Sequence, residues 1–315
     1  METVLCDICG QDRARVVYEL KDTNYGCPGT FILVQCTTCG LVYQNPRPSL
    51  AEMGKYYPVE QYHPFKALRN REAAKPAPLH ARRARALTVK LGAGQILDVG
   101  CGSGLFLVVM RQLGWQCTGV EPNNEAAQFA RERLQLQVHT GDISSIEASE
   151  KFDLVTFWDV LEHTRSPRAT LKRAYKLLKP SGTLAINVPN WDSLERRIFR
   201  ENWIALDAPR HLYHFTPQTL PDMLSLCGFV VESVTASAPP LSLSSNVLRW
   251  LGNTFLRKGQ AKALVTPTSL RTSPGSASRA RRFLIRMISE SMRLPNALLN
   301  TLNIGSGITA TARKS

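Results

Sequence analysis

Residues 95–104 read Gln-Ile-Leu-Asp-Val-Gly-Cys-Gly-Ser-Gly. A short apolar run encloses an acid, Asp98, and glycines then stand at 100, 102 and 104. The pattern predicts a buried parallel strand, a tight turn and a helix over residues 105–113. Glycine lets a backbone approach a ligand closely. The start of a helix offers unpaired N–H groups and a positive dipole end, which suit a carboxylate or a phosphate. Asp98 would then lie at the carboxyl end of its strand, where open α/β sheets bind ligands.

The chain continues in alternation. A strand over 117–120 ends at Glu121, and a helix follows over 124–134. A strand over 136–139 leads to Asp142 and Ile143, and another over 152–158 ends at Trp158. Asp159-Val160-Leu161-Glu162-His163, a helix over 168–178, the turn Lys179-Pro180-Ser181-Gly182 and a strand over 183–188 come next. Thr216 and Pro217 suit the N-cap and first position of a helix running to Cys227-Gly228. Strands over 229–237 and 307–314 close the pattern.

The glycine spacing is G-x-G-x-G, one residue tighter than the dinucleotide fingerprint. With Asp98 two residues ahead, it resembles motif I of the class I S-adenosylmethionine (SAM) methyltransferases. The resemblance covers roughly residues 90–240, with its motifs in the family's order. It implies a seven-stranded Rossmann-like α/β sheet with helices on both faces and a last strand, residues 304–315, running antiparallel beside strand six. It also implies that Gly100, Gly102 and Gly104 lie under the methionine part of SAM. Glu121 would hold the ribose hydroxyls, Asp142 and Ile143 would meet the adenine, and Trp158 would line the methyl-donor pocket.

The N-terminus adds a second motif: Cys6-x-x-Cys9-Gly10 and Cys36-x-x-Cys39-Gly40. Without an oxidising compartment, paired C-x-x-C motifs indicate metal binding. Residues 1–45 therefore read as a zinc ribbon, with four thiolates closing a structural site. So short a segment buries too little apolar surface to fold unaided. Cys27 fits neither pair and reads as a buried free thiol. Together with Asn45-Pro46-Arg47-Pro48, the knuckles are similar to a zinc-ribbon-bearing branch of the family found in bacterial sugar, glycan and secondary-metabolite pathways. That implies methyl transfer to a small-molecule acceptor such as a sugar nucleotide, a lipid-linked glycan or a secondary metabolite.

Residues 46–90 read as linker and leading helix, 91–240 as the SAM-binding core, and 241–303 as a basic helical insertion before the final strand. The aromatic residues between Tyr56 and Tyr62 suit either a lid or an anchor, and Arg82, Arg83 and Arg85 are expected to be exposed. The net charge of +14 is concentrated. Residues 66–90 carry eight Lys/Arg against one acid, and residues 241–315 carry twelve against one. The core is therefore slightly acidic, which argues against a nucleic-acid groove across its binding face. The insertion's mixture of apolar and cationic residues suits a lid, an oligomer contact or peripheral contact with a membrane surface. Oligomeric state stays open. No secretory signal and no run of about 18 uncharged apolar residues is present. The chain is accordingly expected in the cytoplasm, or peripherally at the inner membrane surface.

His211 and His214 precede the helix after strand five and are the candidate general bases. Ordering of the loop is the alternative role, and the sequence supplies no third ligand for a metal there. Two rival functions remain. An RNA methyltransferase would use the ribbon and basic flanks, although Trp158-Asp159-Val160-Leu161 replaces the Asn-Pro-Pro-aromatic tetrad of base methylation. The second is a non-catalytic SAM-binding adaptor, against which the intact Asp98, Glu121 and Asp142 argue.

Overall fold

The computed structural model describes residues 1–57, 76–147, 150–238, 242–255 and 293–315. Three N-terminal strands, β1 (Ala14–Leu20), β2 (Phe31–Cys36) and β3 (Val42–Gln44), pair antiparallel in that order. Each C-x-x-C pair forms a turn closed by its glycine: Gly10 N–H donates to the Cys6 carbonyl, and Gly40 N–H to that of Cys36.

The principal sheet begins with β4 (Gln95–Val99), β5 (Gln116–Glu121), β6 (Gln137–Thr140), β7 (Phe152–Trp158) and β8 (Leu178–Pro189). These five are parallel; the central β4 and β7 are largely apolar because both faces are covered, whereas the edge strand β6 is mostly exposed. On one face Ile96 and Leu154 pack against α1 (Pro78–Leu91), α2 (Leu105–Gln112) and α3 (Asn124–Leu134). On the other, Leu97, Val155 and Phe157 pack against α4 (Pro167–Leu177) and the later α6. A short helix, α5 (Leu194–Phe199), follows β8, and the two-residue strand β9 (Tyr213–His214) comes next. Then come α6 (Thr219–Leu226), β10 (Phe229–Ser237), α7 (Ser242–Phe255), α8 (Arg293–Thr301) and β11 (Gly307–Lys314).

The sheet order is β10-β11-β8-β7-β4-β5-β6, with β11 antiparallel to both neighbours. This is the seven-stranded α/β sheet with helices on both faces that the glycine motif implied. Thr216 caps helix α6 as its sequence suggests: its hydroxyl accepts the Thr219 N–H at 2.9 Å and its carbonyl accepts the Leu220 N–H at 3.1 Å, and the regular helix runs from Thr219.

The first segment is not a detached module. β9 lies beside β3, so the N-terminal sheet has the order β1-β2-β3-β9, and its fourth strand comes from the core region. Cys6 and Cys36 join the same apolar cluster as Leu97 and Phe157. Cys27 is half-buried rather than buried. Helix α1 sends Ala84 and Leu87 into the core, so it is more than a linker. Helix α7 buries Ser244, Asn246 and Arg249, and Arg249 bonds to Thr23 and Asn24 after β1. The basic stretch 256–292 and the aromatic segment beyond Tyr57 lie outside the described residues. Among the described residues, no helix is long and apolar enough to cross a membrane.

Candidate active site

The glycine turn adopts the conformation that its sequence demands. Gly100, Gly102 and Gly104 have φ of +66°, +54° and +79°, a region that side chains rarely enter. A Cβ on Gly100 would stand 2.6 Å from the Val160 side chain, so the turn after β7 touches the glycine turn. A Cβ on Gly102 would meet nothing within 4 Å, which leaves the backbone there open to a ligand.

Asp98 is 2% exposed and accepts the Thr156 hydroxyl at 2.6 Å. Burial pushes its carboxyl up to about 7. Glu121, at the tip of β5, accepts the N–H groups of Gly102 and Asn123, each at 2.8 Å. Asp142 is exposed and caps its own turn, taking the N–H and hydroxyl of Ser144 on one oxygen, while Ile143 beside it is buried. Trp158 faces the Phe106 ring edge-on at 5.4 Å.

Arg83 departs from expectation. Instead of pointing to solvent, its guanidinium lies 4.3 Å over the Trp158 ring and donates to Asn187 Oδ1 at 2.7 Å. Helix α1 thus brings a cation to the carboxyl ends of β7 and β8. Helical spacing alone did not reveal this, because Arg82, Arg83 and Arg85 differ only in which one meets Trp158.

Along the turn after β7 lies a buried polar cluster. Glu162 is fully buried, and both carboxylate oxygens lack a hydrogen-bond partner. Burial, and then Asp159, push it well above the usual carboxylate range. His163 lies 4.5 Å from His211, ring centroid to ring centroid, and His211 lies 6.1 Å from His214. The donor atoms of Glu162, His163 and His211 are all within 4.8 Å of one another, close enough to ligate one cation. The fold thus supplies the neighbours that the sequence did not reveal beside His211.

Burial lowers all three imidazole pKa values: His163 to about 3, His211 below its ordinary value, and His214 well below it. The rings are neutral at neutral pH. The Nδ1 of His211 bonds the Ala205 carbonyl at 2.8 Å and the Nδ1 of His163 bonds the Arg210 carbonyl at 3.0 Å. A neutral imidazole facing a carbonyl must donate, so each Nε2 is left as the acceptor. His214 is 1% exposed, and neither ring nitrogen has a partner. Tyr57 brings its hydroxyl to 3.4 Å from His163, while Tyr56 packs edge-on against Phe31 at 5.5 Å.

The His211–His214 loop is clamped from the N-terminal segment. Arg210 is 0% exposed and forms ion pairs with Asp22 at 2.8 Å and Asp207 at 2.6 Å. The Asp22 carboxylate also accepts the N–H groups of Asn24, Tyr25 and Cys27. Neither Asp22 nor Arg210 carried a recognisable motif.

The four sulfurs of Cys6, Cys9, Cys36 and Cys39 lie within 4.8 Å of one another. Burial would raise the Cys36 thiol, but the N–H groups of Cys39 and Thr38 outweigh it and bring it down to about 7. Four converging sulfurs at this spacing fit a tetrahedral zinc with Zn–S bonds of about 2.3 Å.

The methyltransferase-domain family matches residues 68–234, more than half of the chain. The ubiquinone biosynthesis O-methyltransferase of Bradyrhizobium diazoefficiens is 30% identical over 179 residues, covering 55% of this chain and 70% of that protein. This chain belongs to the class I SAM-dependent methyltransferases.

The same-named protein of Xanthomonas campestris pv. campestris is 31% identical over 178 residues, 51% of this methyltransferase and 74% of that one. Solved structures show the fold. An N-methyltransferase 2 of Haemonchus contortus, bound to S-adenosylhomocysteine, is 16% identical with a TM-score of 0.53, covering 87% of this chain and 62% of that one. The [4+2]-cyclase SpnF is 18% identical with a TM-score of 0.50, covering 85% and 98%. One architecture therefore serves different chemistries, and the acceptor must be argued from the site. SAM is the cofactor of this methyltransferase.

Proposed function

We propose that this methyltransferase acts on a hydroxyl group of a small-molecule acceptor, with His211 as the base. The observation that carries the proposal is the cluster of buried, neutral imidazoles one short turn from the glycine loop. SAM supplies a methyl group already activated on a sulfonium. The glycine turn and the start of α2 would hold its methionine part, with the Arg83 guanidinium available to its carboxylate. Glu121 would hold the ribose hydroxyls, and Asp142 with Ile143 would border the adenine. His211 Nε2 would take the acceptor proton as the acceptor oxygen displaces S-adenosylhomocysteine from the methyl carbon. The Asp207 carboxylate, 3.9 Å from that nitrogen, stabilises the imidazolium that results. Alignment of acceptor and donor supplies much of the rate. His214 offers its unpartnered nitrogens to the acceptor.

The O-methyltransferase names of the relatives support oxygen as the attacking atom. A sugar nucleotide or lipid-linked glycan carries such hydroxyls, as does a catechol. We further infer that Cys6, Cys9, Cys36 and Cys39 hold a structural zinc. Exposed Leu294, Leu298 and Leu302 in and just after α8 support peripheral membrane contact for the insertion more than α7 does, whose Ser244, Asn246 and Arg249 are buried in protein. Labelled SAM offered with nucleotide sugars, a catechol and total RNA tests the reading. Transfer to a hydroxyl compound, at least 100-fold slower in His211→Ala with SAM affinity kept, is the expected result. Label appearing in RNA would overturn it.

A further inference from the structure

We infer that the cysteine ribbon forms one wall of the acceptor site and that Gln44 is its contacting residue. The inference rests on the reading that the His211–His214 region receives the acceptor. Gln44 is the last residue of β3 and is 0% exposed. Neither its amide nitrogen nor its amide oxygen has a hydrogen-bond partner. Buried side-chain amides are nearly always bonded, so a wholly unpartnered one marks a place that another molecule completes.

The strand register fixes which way Gln44 faces. Val42 pairs with His214 across β3 and β9, and residues directly opposite share a face. Gln44 is two residues beyond Val42 and therefore lies on that face as well. Tyr43 and Tyr213 stack on the other side, with ring centroids 6.4 Å apart. Val42 and Leu33, which flank Gln44, pack with Trp191 and Trp203. His214 stands 5.3 Å from Trp191. Trp203 Nε1, both His214 nitrogens and both Glu162 oxygens are buried without partners as well. The Gln44 N–H donates to the Leu212 carbonyl at 2.9 Å, and the Leu212 N–H donates to the Glu162 carbonyl at 2.8 Å. Gln44 and Glu162 therefore flank one residue of the histidine loop.

Such a set (an amide, a carboxyl group, imidazoles and an indole N–H) suits an uncharged ligand carrying several hydroxyl or carbonyl oxygens. The ribbon thereby acts in acceptor selection as well as in stabilising the fold.

The test uses the full, zinc-loaded chain with Gln44→Leu and Gln44→Met. Removing an unpartnered amide should raise the melting temperature by about 3–6 °C. SAM affinity by calorimetry should stay within twofold, and methyl transfer to the hydroxyl acceptor should fall at least tenfold. Unchanged or lower melting in both variants would show that the amide is held by the fold, and would overturn the inference. Raised melting with undiminished transfer would overturn it too, because the acceptor would then not use Gln44. No transfer by the unmodified chain would instead remove the hydroxyl-acceptor reading, and melting alone would decide whether Gln44 is left open.

Discussion

The glycine turn and the His211–His214 loop meet at the same end of one sheet, joined by the short turn through Val160. The glycine turn is built from neighbours in sequence. Asp98, Gly100, Gly102 and Gly104 span seven residues, and Glu121 follows after one helix and one strand. The histidine loop is held by residues more than 150 positions away: Asp22 on Arg210, Val42 on His214 and Gln44 on Leu212. A binding turn for a common cofactor can be local, because phosphate-like and carboxylate groups are met by backbone N–H groups. A site for a particular acceptor needs walls that converge from several segments. The N-terminal sheet supplies such a wall here.

This contrast can be broken at several points. The largest effect should come from removing zinc with a chelator, or from Cys36→Ser combined with Cys39→Ser. Structural zinc contributes about 10–16 kcal/mol of apparent folding energy in small modules. Metal analysis should find one zinc per chain, and its loss should speed hydrogen exchange in β3 and β9 while SAM still binds. If SAM affinity collapses with the metal, the two halves are not separable. Next comes Asp22→Ala, which leaves the buried Arg210 with Asp207 as its remaining carboxylate and should cost about 1.5–3 kcal/mol in urea unfolding. A loss below about 1 kcal/mol would mean that the clamp does not hold the loop.

On the donor side, Glu121→Ala should weaken SAM binding by about 10- to 150-fold, as removal of a charge-assisted bond of about 1.5–3 kcal/mol requires. Unchanged calorimetric affinity would remove Glu121 from the cofactor site. The pH dependence is a smaller effect and probes the acceptor side. Burial lowers His211, so it stays unprotonated as the pH falls through the ordinary histidine value of 6.5. The acid limb of methyl transfer should therefore lie below pH 6.5, with about a tenfold loss per unit beneath its midpoint. A midpoint at or above 6.5 would exclude His211 as the buried base. Smallest should be Asp142→Asn, because Asp142 is exposed and already caps its own turn. A change in SAM affinity above about tenfold would give it a larger share of adenine binding than one net hydrogen bond.

The seven-stranded sheet was legible because the central parallel strands, covered on both faces, are largely apolar, and β4, β5, β6 and β7 each end at or next to a glycine or an acid. The strand order followed from the glycine motif's resemblance. Arg83 was misjudged because helix periodicity separates polar from apolar faces but cannot say which arginine meets an aromatic ring. The burial of Glu162 was not legible, because it depends on the distant loop whose Leu212 N–H bonds its carbonyl. Asp22 showed no signal, since one acid after a strand is ordinary until Arg210 faces it.

By itself the sequence determined the donor half: the backbone turn, the acids at strand ends and the paired cysteines are local patterns whose chemistry follows from spacing. Tertiary structure decided the rest. Only when β9 pairs with β3 do Gln44 and His214 share a face, and only then are the imidazoles desolvated enough to stay neutral. Hydrogen-bond register and burial depend on which distant segments meet, and spacing along the chain does not encode that directly.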